Sequence, residues 1–344
     1  MNKKIKVLIT GIAGASLGTE ILKCLQLAKN YCIFGCDISN LAFGHYQEGF
    51  KETFVADPNN YVESVIDICK KNDIKYIIPG GEQPMTILGN SSELIKGNGI
   101  TLVSNSQGII NKFSDKEETF KTLANLGFSI PLTIRVKTIN DLNEMVFPCI
   151  VKPAKDSGGS SFVFLAGNKE EAWIYAEYLI KNNKIPLLQE YIDEKDGEFT
   201  VGVLSLPNEH IVGSIALRRT FNSKLSIFSK TATGLISSGY SQGLIDKFPD
   251  ICKAAENIAK KIKSVGPINI QGRIKNGIFV PFEINPRFSA STYLRAMAGF
   301  NEIDIYLKYL IDGSINYSSE IKYGYYMRSF SEIFVNRGDI IQND

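Results

Sequence analysis

Three polar side chains late in the chain have the types and the spacing of a site for metal and phosphate. Glu283, Asn285 and Arg287 lie two residues apart within the segment 281–287. In an extended segment, side chains two residues apart point to the same face, so these three would line one wall. Carboxylate and amide oxygens suit Mg²⁺, and a guanidinium binds a phosphoryl group bidentately. The segment therefore predicts a wall that holds a magnesium-bound phosphate chain.

A β-hairpin is predicted directly before this wall. Residues 266–273 alternate as a strand does, and the Asn-Gly pair at 276–277 is a strong hairpin signal. Gln271 and Glu283 then fall on neighbouring antiparallel strands, where they and Asn285 would form a set of three metal ligands. A buried Glu283 satisfied by its neighbours without any metal is the alternative that these residues leave open.

The composition is that of a globular protein with balanced charge. The chain has 344 residues, 44% of them hydrophobic, which is enough for the cores of two or three domains. Its 38 basic and 36 acidic residues give no reason to expect nucleic acid or a membrane as partner. Six cysteines without a Cys-x-x-Cys pair, and only two histidines, favour buried thiols in a reducing compartment over a zinc site.

The N-terminal residues give no sign of export. No apolar stretch approaches the roughly 18 to 20 residues that span a bilayer. Lys6 also interrupts the first apolar run, where a signal peptide would have its core. We therefore expect a cytoplasmic protein.

Strand and helix patterns alternate along the first part of the chain. Strands are indicated at 6–10, 32–36, 76–79 and 100–103, and helices at 17–28, 61–71 and near 87–95. Alternating βαβ units predict an open parallel sheet with helices on both faces. We assign residues 1–108 to this N-terminal α/β domain.

From residue 109 onward the pattern changes to strands that are bounded by turns. Helices are indicated at 115–126 and 169–181, and strands at 149–153, 161–165, 187–192, 199–206 and 210–217. The predicted fold class is thus α/β followed by α+β. Residues 221–242 are rich in Ser, Thr and Gly and lack periodicity, so we predict a long loop with a functional role.

Two glycine-rich segments compete for the role of phosphate cradle. In the first, Gly11, Gly14 and Gly18 separate a strand from a helix, and Asp37 ends the next strand. This arrangement is similar to a dinucleotide fingerprint, but the spacing departs from Gly-x-Gly-x-x-Gly. An NAD-dependent oxidoreductase is therefore kept as an alternative.

The second glycine-rich segment follows a lysine that is carried on a strand. Lys152 precedes a loop of small residues, whose backbone N–H groups could surround phosphate oxygens while the lysine offsets their charge. These small residues are Ser157, Gly158, Gly159, Ser160 and Ser161. A plain surface turn is the alternative interpretation of this loop.

Taken together, these segments resemble the ATP-grasp superfamily, and in particular one synthetase half of the carbamoyl phosphate synthase large chain. The order and spacing of the motifs carry the resemblance, which covers most of the chain. It implies a pre-ATP-grasp domain at 1–108, a small subdomain with a phosphate flap at 109–190, and a large subdomain with the metal site at 191–344. It also implies ATP and Mg²⁺ as cofactors, with Mn²⁺ as an alternative metal.

The resemblance assigns roles to residues that match the family pattern. Lys116 and Lys152 would approach the nucleotide phosphates under the flap at 157–161, and Glu198 would accept from the ribose hydroxyls. The segment that would read adenine through its backbone consists of Gln189, Glu190, Tyr191 and Ile192. Gln271, Glu283 and Asn285 would hold the metal. Arg287 would steady the transferred phosphoryl group.

The chemistry that the resemblance implies is ligation of a small carboxylate to a small amine. ATP would phosphorylate the carboxylate, and the amine would then attack the acyl phosphate. Arg218 and Arg219 would hold an anionic substrate or intermediate, unless they are surface arginines, and the 221–242 loop would close over it. Glu82, which follows a strand end, would contact the amine, with a helix-capping role as its alternative.

The chain contains one Glu-x-Asn-Pro-Arg segment, so a stand-alone ligase fits it better than a complete carbamoyl phosphate synthase. The family often dimerises, which raises the expectation of a homodimer. A non-catalytic ATP-binding protein is the second alternative, beside the oxidoreductase, since it would keep the same nucleotide residues.

Overall fold

The computed structural model describes residues 4–14, 17–155, 161–315 and 320–341. Three sheets follow one another along the chain, and a two-stranded ribbon is inserted in the last part. The mixture of one parallel sheet with antiparallel sheets confirms the predicted fold class.

The first sheet is parallel, as the alternating pattern predicts, and has the strand order β3-β2-β1-β4-β5. Its strands are β1 (Ile5–Thr10), β2 (Tyr31–Asp37), β3 (Glu52–Val55), β4 (Tyr76–Pro79) and β5 (Thr101–Leu102). The helices of this part are α1 (Leu17–Ala28), α2 (Tyr61–Lys71), α3 (Glu82–Asn90), α4 (Ser92–Gly97) and α5 (Gln107–Phe113). The single helix predicted near 87–95 is in fact two helices, which meet at Ser91.

Three glycines let α1 approach the ends of β1 and β4. A Cβ on Gly18 would stand 2.2 Å from the carbonyl oxygen of Gly11, and one on Gly80 would stand 2.6 Å from the same atom. The backbone N–H of Gly18 donates to the carbonyl of Gly80 (3.1 Å). The glycine turn therefore serves close packing between helix and strands.

We expect Gly18→Ala to lower the free energy of unfolding by about 1–3 kcal/mol, because the added methyl group overpacks this contact. Gly108→Ala is the control, since the Cβ position of this helical residue faces open space. That change should raise the free energy of unfolding by about 0.4–1 kcal/mol. Urea unfolding of both variants measures the difference, and equal midpoints would contradict the packing argument.

The second sheet is antiparallel, with the strand order β6-β9-β7-β8. Its strands are β6 (Thr133–Arg135), β7 (Cys149–Pro153), β8 (Phe164–Ala166) and β9 (Pro186–Glu190). The helices are α6 (Lys116–Asn125), which Asp115 caps by accepting from two backbone N–H groups, and α7 (Lys169–Lys181). The strand predicted at 161–165 begins three residues later than expected, at Phe164.

The third sheet has six antiparallel strands in the order β16-β15-β10-β11-β14-β17. The strands of this part, including the ribbon, are β10 (Glu198–Ser205), β11 (Ile211–Arg219), β12 (Ile227–Thr231), β13 (Gly234–Ser237), β14 (Gly243–Ile245), β15 (Pro267–Lys275), β16 (Ile278–Asn285) and β17 (Gly324–Tyr326). The helices are α8 (Pro249–Lys261), α9 (Thr292–Ala298) and α10 (Glu302–Asp312).

The segment 221–242 is not the structureless loop that the sequence predicts. It contains the antiparallel ribbon β12–β13, preceded by a short 3-10 helix at Lys224–Ser226. The prediction fails because β12 is mostly exposed and polar, so it lacks the apolar alternation that marks a half-buried strand.

The first sheet shares a hydrophobic core with the C-terminal helices. The largest cluster of buried side chains includes Val7 and Ile21 together with Leu294 and Ile303. The Tyr31 hydroxyl also donates to Asp304 of α10 (2.8 Å). Because this core crosses the domain bounds drawn from the sequence, those bounds stay a prediction. No helix in the described ranges is long and apolar enough to cross a membrane.

Candidate active site

Most of the residues singled out in the sequence line one cavity of about 640 Å³ where the three sheets meet. The members of this set are Glu82, Lys116, Lys152, Gln189, Glu190, Tyr191, Ile192, Gln271, Glu283, Asn285 and Arg287. Ser157, Gly158, Gly159 and Ser160 lie outside the described residues. Ser161 is exposed and does not line the cavity.

The β15–β16 hairpin brings the three expected metal ligands together. Asn276 and Gly277 both have positive φ (52° and 76°), as a tight two-residue turn requires. The resulting register sets Gln271 opposite Glu283. The Gln271 side-chain amide donates to Oε2 of Glu283 (2.7 Å), and Asn285 follows on the same strand.

This oxygen set suits a cation that retains other ligands. In the described part of the chain, no group of three or more His, Cys, Asp or Glu side chains could hold a metal ion. One carboxylate with two amides is too few ligands for an all-protein cage, but it fits Mg²⁺ that keeps water and substrate phosphates in its shell. The donor set and the expected metal are therefore compatible.

Arg287 follows Asn285 by two residues and presents a donor to the cavity. Its Nη1 donates to the carbonyl of Phe288 (3.0 Å), and its Nη2 donates to Oδ1 of Asn285 (3.3 Å). Its Nε is buried and has no hydrogen-bond partner among the described residues. A buried donor without an acceptor is costly, so an anionic ligand at this position would be stabilising.

Lys152 reaches the cavity from β7 and is almost fully buried (6% exposed). A bulge at Phe282 turns that residue's carbonyl toward the lysine, which donates to it (3.2 Å) and to Oε1 of Gln189 (2.8 Å). Burial and, to a smaller extent, the nearby charge of Lys116 lower the pKa of the Lys152 ammonium to about 7. Glu283 acts in the opposite direction.

The segment that leads out of β9 forms another wall of the cavity. The Gln189 amide donates to the Thr133 hydroxyl (2.9 Å), which fixes the start of the segment. The guanidinium of Arg273 lies 4.9 Å from the centre of the Tyr191 ring, and its Nη1 donates to the carbonyl of Ile192 (2.5 Å). Apolar side chains complete this end of the cavity, among them Ile150, Val163, Phe228, Leu235 and Ile236.

The structure contradicts the prediction for Glu198, which does not face the cavity. Its side chain is fully buried and lies between two guanidinium groups. Oε1 accepts from Arg219 (3.0 Å), and Oε2 accepts from Nε of Arg273 (2.8 Å). Burial raises the pKa of this carboxyl, but the two cations outweigh it and hold the pKa below its usual value. Glu198 is thus the centre of a buried ionic cluster.

The predictions for Arg218 and Arg219 also fail. Arg219 is 4% exposed, and its Nη2 donates to the backbone carbonyls of Ser226 (3.3 Å) and Ser238 (2.7 Å). Neighbouring strand residues point to opposite faces, so Arg218 projects from the other side of the sheet and is exposed. Neither guanidinium lines the cavity, and Arg219 instead holds the ends of the segment that carries the ribbon.

Arg273 is the main cavity residue that the sequence analysis missed. It lines the cavity, binds Glu198, and donates to the carbonyls of Ile192 and Leu235. Its position two residues after Gln271 on the same strand places it on the same face. That spacing was therefore a readable signal for its location.

Asp37, the carboxylate that a dinucleotide would require beside the N-terminal glycine turn, has a structural role instead. Asp37 is 7% exposed, and it accepts from the backbone N–H groups of Ile12 (2.8 Å) and Ser39 (3.1 Å). Oδ2 thus holds the glycine turn to β2, and Oδ1 is engaged by the backbone that follows β2. The oxidoreductase alternative consequently has no acidic residue ready to bind a ribose at this position.

Two family models match the chain. One describes an ATP-grasp protein in the biosynthetic pathway with the Ter operon and matches residues 185–333. The other describes a RimK-like ATP-grasp domain and matches residues 114–233. Between them the two matches include every cavity residue of the predicted nucleotide and metal set.

Sequence relatives and solved structures agree with these matches. The carbamoyl phosphate synthase large chain of Saccharolobus solfataricus is 28% identical over 269 residues, which cover 73% of this chain and 24% of that protein. The chain thus spans about a quarter of the length of the curated relatives that it matches first.

Two crystal structures illustrate the shared fold. N5-carboxyaminoimidazole synthetase from Staphylococcus aureus, complexed with ADP, has a TM-score of 0.68 at 16% identity, with 93% of this chain and 81% of that chain covered. The L-amino acid ligase from Bacillus licheniformis has a TM-score of 0.63 at 14% identity, with 92% and 78% covered. At these identities the likeness concerns the fold.

Proposed function

We propose that this chain, which ATP-grasp family models match over residues 114–233 and 185–333, is an ADP-forming ligase that joins a carboxylate to an amine. The observation that carries the proposal is the composition of the central cavity. Lys116, Lys152 and Arg287 line it together with the ligand set around Glu283. Cations beside hard oxygen ligands are what a metal-bound polyphosphate requires.

The nucleotide would lie with its base against the segment at 189–192 and its phosphates toward the lysines. The base end is the apolar end of the cavity, where the ring of Tyr191 and the side chain of Ile192 lie. Lys152 lies between Gln189 and the carbonyl of Phe282, next to Glu283, and would offset the charge of the phosphates together with Lys116, which lines the same cavity. A cavity of about 640 Å³ lies within the usual range for ligands of this size.

Gln271, Glu283 and Asn285 would hold Mg²⁺, or Mn²⁺ in its place. When bound, the metal would offset the charge that develops on the phosphoryl group during transfer. The hydrogen bond between Gln271 and Glu283 fixes both side chains before any ligand arrives, so little reordering is required on binding. The carboxylate then contributes the single negative charge of this ligand set.

The reaction would proceed in two steps. A carboxylate oxygen of the first substrate attacks the γ-phosphorus of ATP, the bond to ADP breaks, and an acyl phosphate forms. The amine then attacks the carbonyl carbon, a C–N bond forms, phosphate leaves, and the amine loses a proton. Arg287 would hold the transferred group through its donors, and Glu82, which lines the same cavity, would contact the amine.

The ribbon supports this chemistry by covering the cavity. Residues Leu235 to Ser241 line it, and Arg219 and Arg273 tie the backbone of this stretch to the buried Glu198. Such a cover would exclude water, which would otherwise hydrolyse the acyl phosphate. The homodimer expected from the family resemblance stays a prediction.

The proposal is tested with hydroxylamine as a general amine acceptor. We expect the protein, MgATP and hydroxylamine to release ADP and form a hydroxamate when one member of a panel of carboxylates is added. Omission of the carboxylate should reduce ADP release to the background rate. Binding of MgATP without release of ADP for any carboxylate would instead favour a non-catalytic ATP-binding protein.

The lowered pKa of Lys152 predicts that nucleotide binding takes up a proton. Above pH 7 the free protein holds this amine largely neutral, whereas bound phosphates favour the ammonium form and raise its pKa. The affinity for MgATP should therefore fall as pH rises above about 7, by at most about tenfold per pH unit. Below that pH the group is charged in both states and contributes no pH dependence.

Calorimetry at pH 8 in buffers of different ionisation enthalpy measures the proton uptake. The control variant is Lys152→Arg, because its guanidinium stays charged across this range and should abolish the uptake. An affinity that is independent of pH between 7 and 9 in the wild type would contradict the assignment of this lysine to the phosphates.

A further inference from the structure

A second cavity of about 280 Å³ lies against the first, beyond the Arg287 wall. Tyr240 and Ala290 line both cavities, and Ala290 follows Arg287 by three residues. The second cavity therefore adjoins the end where the phosphoryl group would be transferred. None of the residues assigned above to nucleotide or metal lines it.

The charges in this second cavity leave an excess of cations. Glu20 is almost buried (7% exposed), and both of its oxygens are taken. Its Oε1 lies 3.1 Å from Nζ of Lys23, and its Oε2 accepts from Nη2 of Arg328 (2.9 Å). Two cations thus face one carboxylate, so a further negative group would complete the charge balance.

Arg328 also has an unused donor. Its Nη2 donates to the carbonyl of Ala290 (2.5 Å), but its Nε is buried and has no partner within the described ranges of the chain. The side chain is 12% exposed, so water reaches it poorly. A carboxylate placed here would satisfy this donor and offset the excess charge.

The remaining walls of the second cavity are apolar and aromatic. They come from Phe43 in the N-terminal part of the chain, from α9, from the segment at 327–331 and from the ribbon side, and they include Tyr240, Tyr293, Met297, Met327 and Phe330. The rings of Tyr240 and Phe330 meet edge to face at 5.1 Å. Such walls suit an apolar body about the size of one aromatic side chain, given the small volume.

We propose that this second cavity binds an organic substrate of the ligase as a small carboxylate with an aromatic or large apolar body. Its carboxylate would lie at Arg328 and Lys23, and its body would lie among the aromatic and methionine side chains. The assignment of the ligand as a substrate rests on the proposed function, whereas the binding itself does not require ATP. The location beside Arg287 places the ligand next to the transferred phosphoryl group.

The test uses 3-phenylpropionate as probe, with phenethylamine as the matched compound in which an ammonium replaces the carboxylate. Ligand-observed NMR and calorimetry without nucleotide should detect binding of 3-phenylpropionate and much weaker binding of phenethylamine. L-Phenylalanine, which carries both groups, should bind as 3-phenylpropionate does. Preferred binding of phenethylamine, or no binding of 3-phenylpropionate, would overturn the proposal.

Variants of residues that line the second cavity test whether 3-phenylpropionate binds there. Arg328→Gln should weaken 3-phenylpropionate binding at least about tenfold, since a hydrogen bond to a charged group is lost. Lys23→Gln, at a half-exposed position that should not affect folding, is expected to weaken it several-fold. Met297→Trp fills the cavity and should abolish binding, whereas the exposed Lys253→Gln on α8 should leave it unchanged.

The proposed location would be overturned if all three variants bound 3-phenylpropionate as tightly as the wild type does. These variants are Arg328→Gln, Lys23→Gln and Met297→Trp. A separate titration with MgATP distinguishes the two proposals. If MgATP binds and 3-phenylpropionate does not, the substrate class is wrong and the nucleotide site stands. If 3-phenylpropionate binds as predicted and MgATP does not, the ligase proposal is wrong.

Discussion

Glu198→Gln should lower the free energy of unfolding by about 3–5 kcal/mol, because it leaves two buried guanidinium groups without their shared carboxylate. Arg219 and Arg273 are 4% and 5% exposed, so water cannot replace the lost charge. The same change should loosen the ribbon, since these arginines hold the carbonyls of Leu235 and Ser238. Urea unfolding followed by circular dichroism measures the loss.

Glu256→Gln on α8 is the matched control. This glutamate accepts a single hydrogen bond from the Ser214 hydroxyl (2.7 Å), at a partly exposed site away from the cavity. Its neutralisation should change the free energy of unfolding by less than about 1 kcal/mol. If Glu198→Gln kept wild-type stability and lost only affinity for ATP, the original prediction of a ribose contact would be correct and the buried cluster unimportant.

The second large effect is expected at Glu283, within the proposed set of metal ligands. Glu283→Gln keeps the shape of the side chain and can still accept from Gln271, but it removes the only negative charge of the ligand set. Carboxylate-dependent ADP formation should fall by about 100- to 1,000-fold, the range found when one group that stabilises the transition state is removed. Steady-state ADP release with the carboxylate found in the hydroxylamine assay measures this effect.

Two controls accompany this variant. Its unfolding midpoint should stay close to that of the wild type, because Glu283 is only partly buried and makes one hydrogen bond to a neighbour. Glu256→Gln should retain full activity. Wild-type rates in Glu283→Gln at saturating Mg²⁺ would contradict the placement of the metal on this wall.

The shared placement of Gln271, Glu283 and Asn285 was predictable because its signals are local. The Asn-Gly turn at 276–277 fixes the register of the hairpin, and the period of two then decides which side chains share a face. The parallel first sheet was predictable for a similar reason, since buried strands and amphipathic helices alternate over short distances.

The ionic cluster around Glu198 was not predictable from local pattern. Its partners Arg219 and Arg273 lie 21 and 75 residues away along the chain, and only the pairing of β10 with both β11 and β15 brings them together. A family pattern can place Glu198 on a strand, but it does not tell which face of the strand is covered. The role of Arg219 was misjudged for the same reason.

The second cavity depends on contacts of even longer range. Arg328 reaches Glu20 across 308 residues, and Asn40 likewise binds the carbonyl of Ile341. The segment after β17 has neither the apolar period of a helix nor that of a long strand, so no sequence signal indicated where it packs. The position of its arginine became visible only in the assembled fold.

The central claim is that the main cavity binds MgATP, and thermal unfolding with different ligands tests it most directly. Ligands that bind only the native state raise the unfolding temperature. We predict a rise with MgATP that becomes smaller with ATP and EDTA and in Glu283→Gln, and no rise with NADH. A rise with NADH and none with MgATP would contradict the account and favour an oxidoreductase.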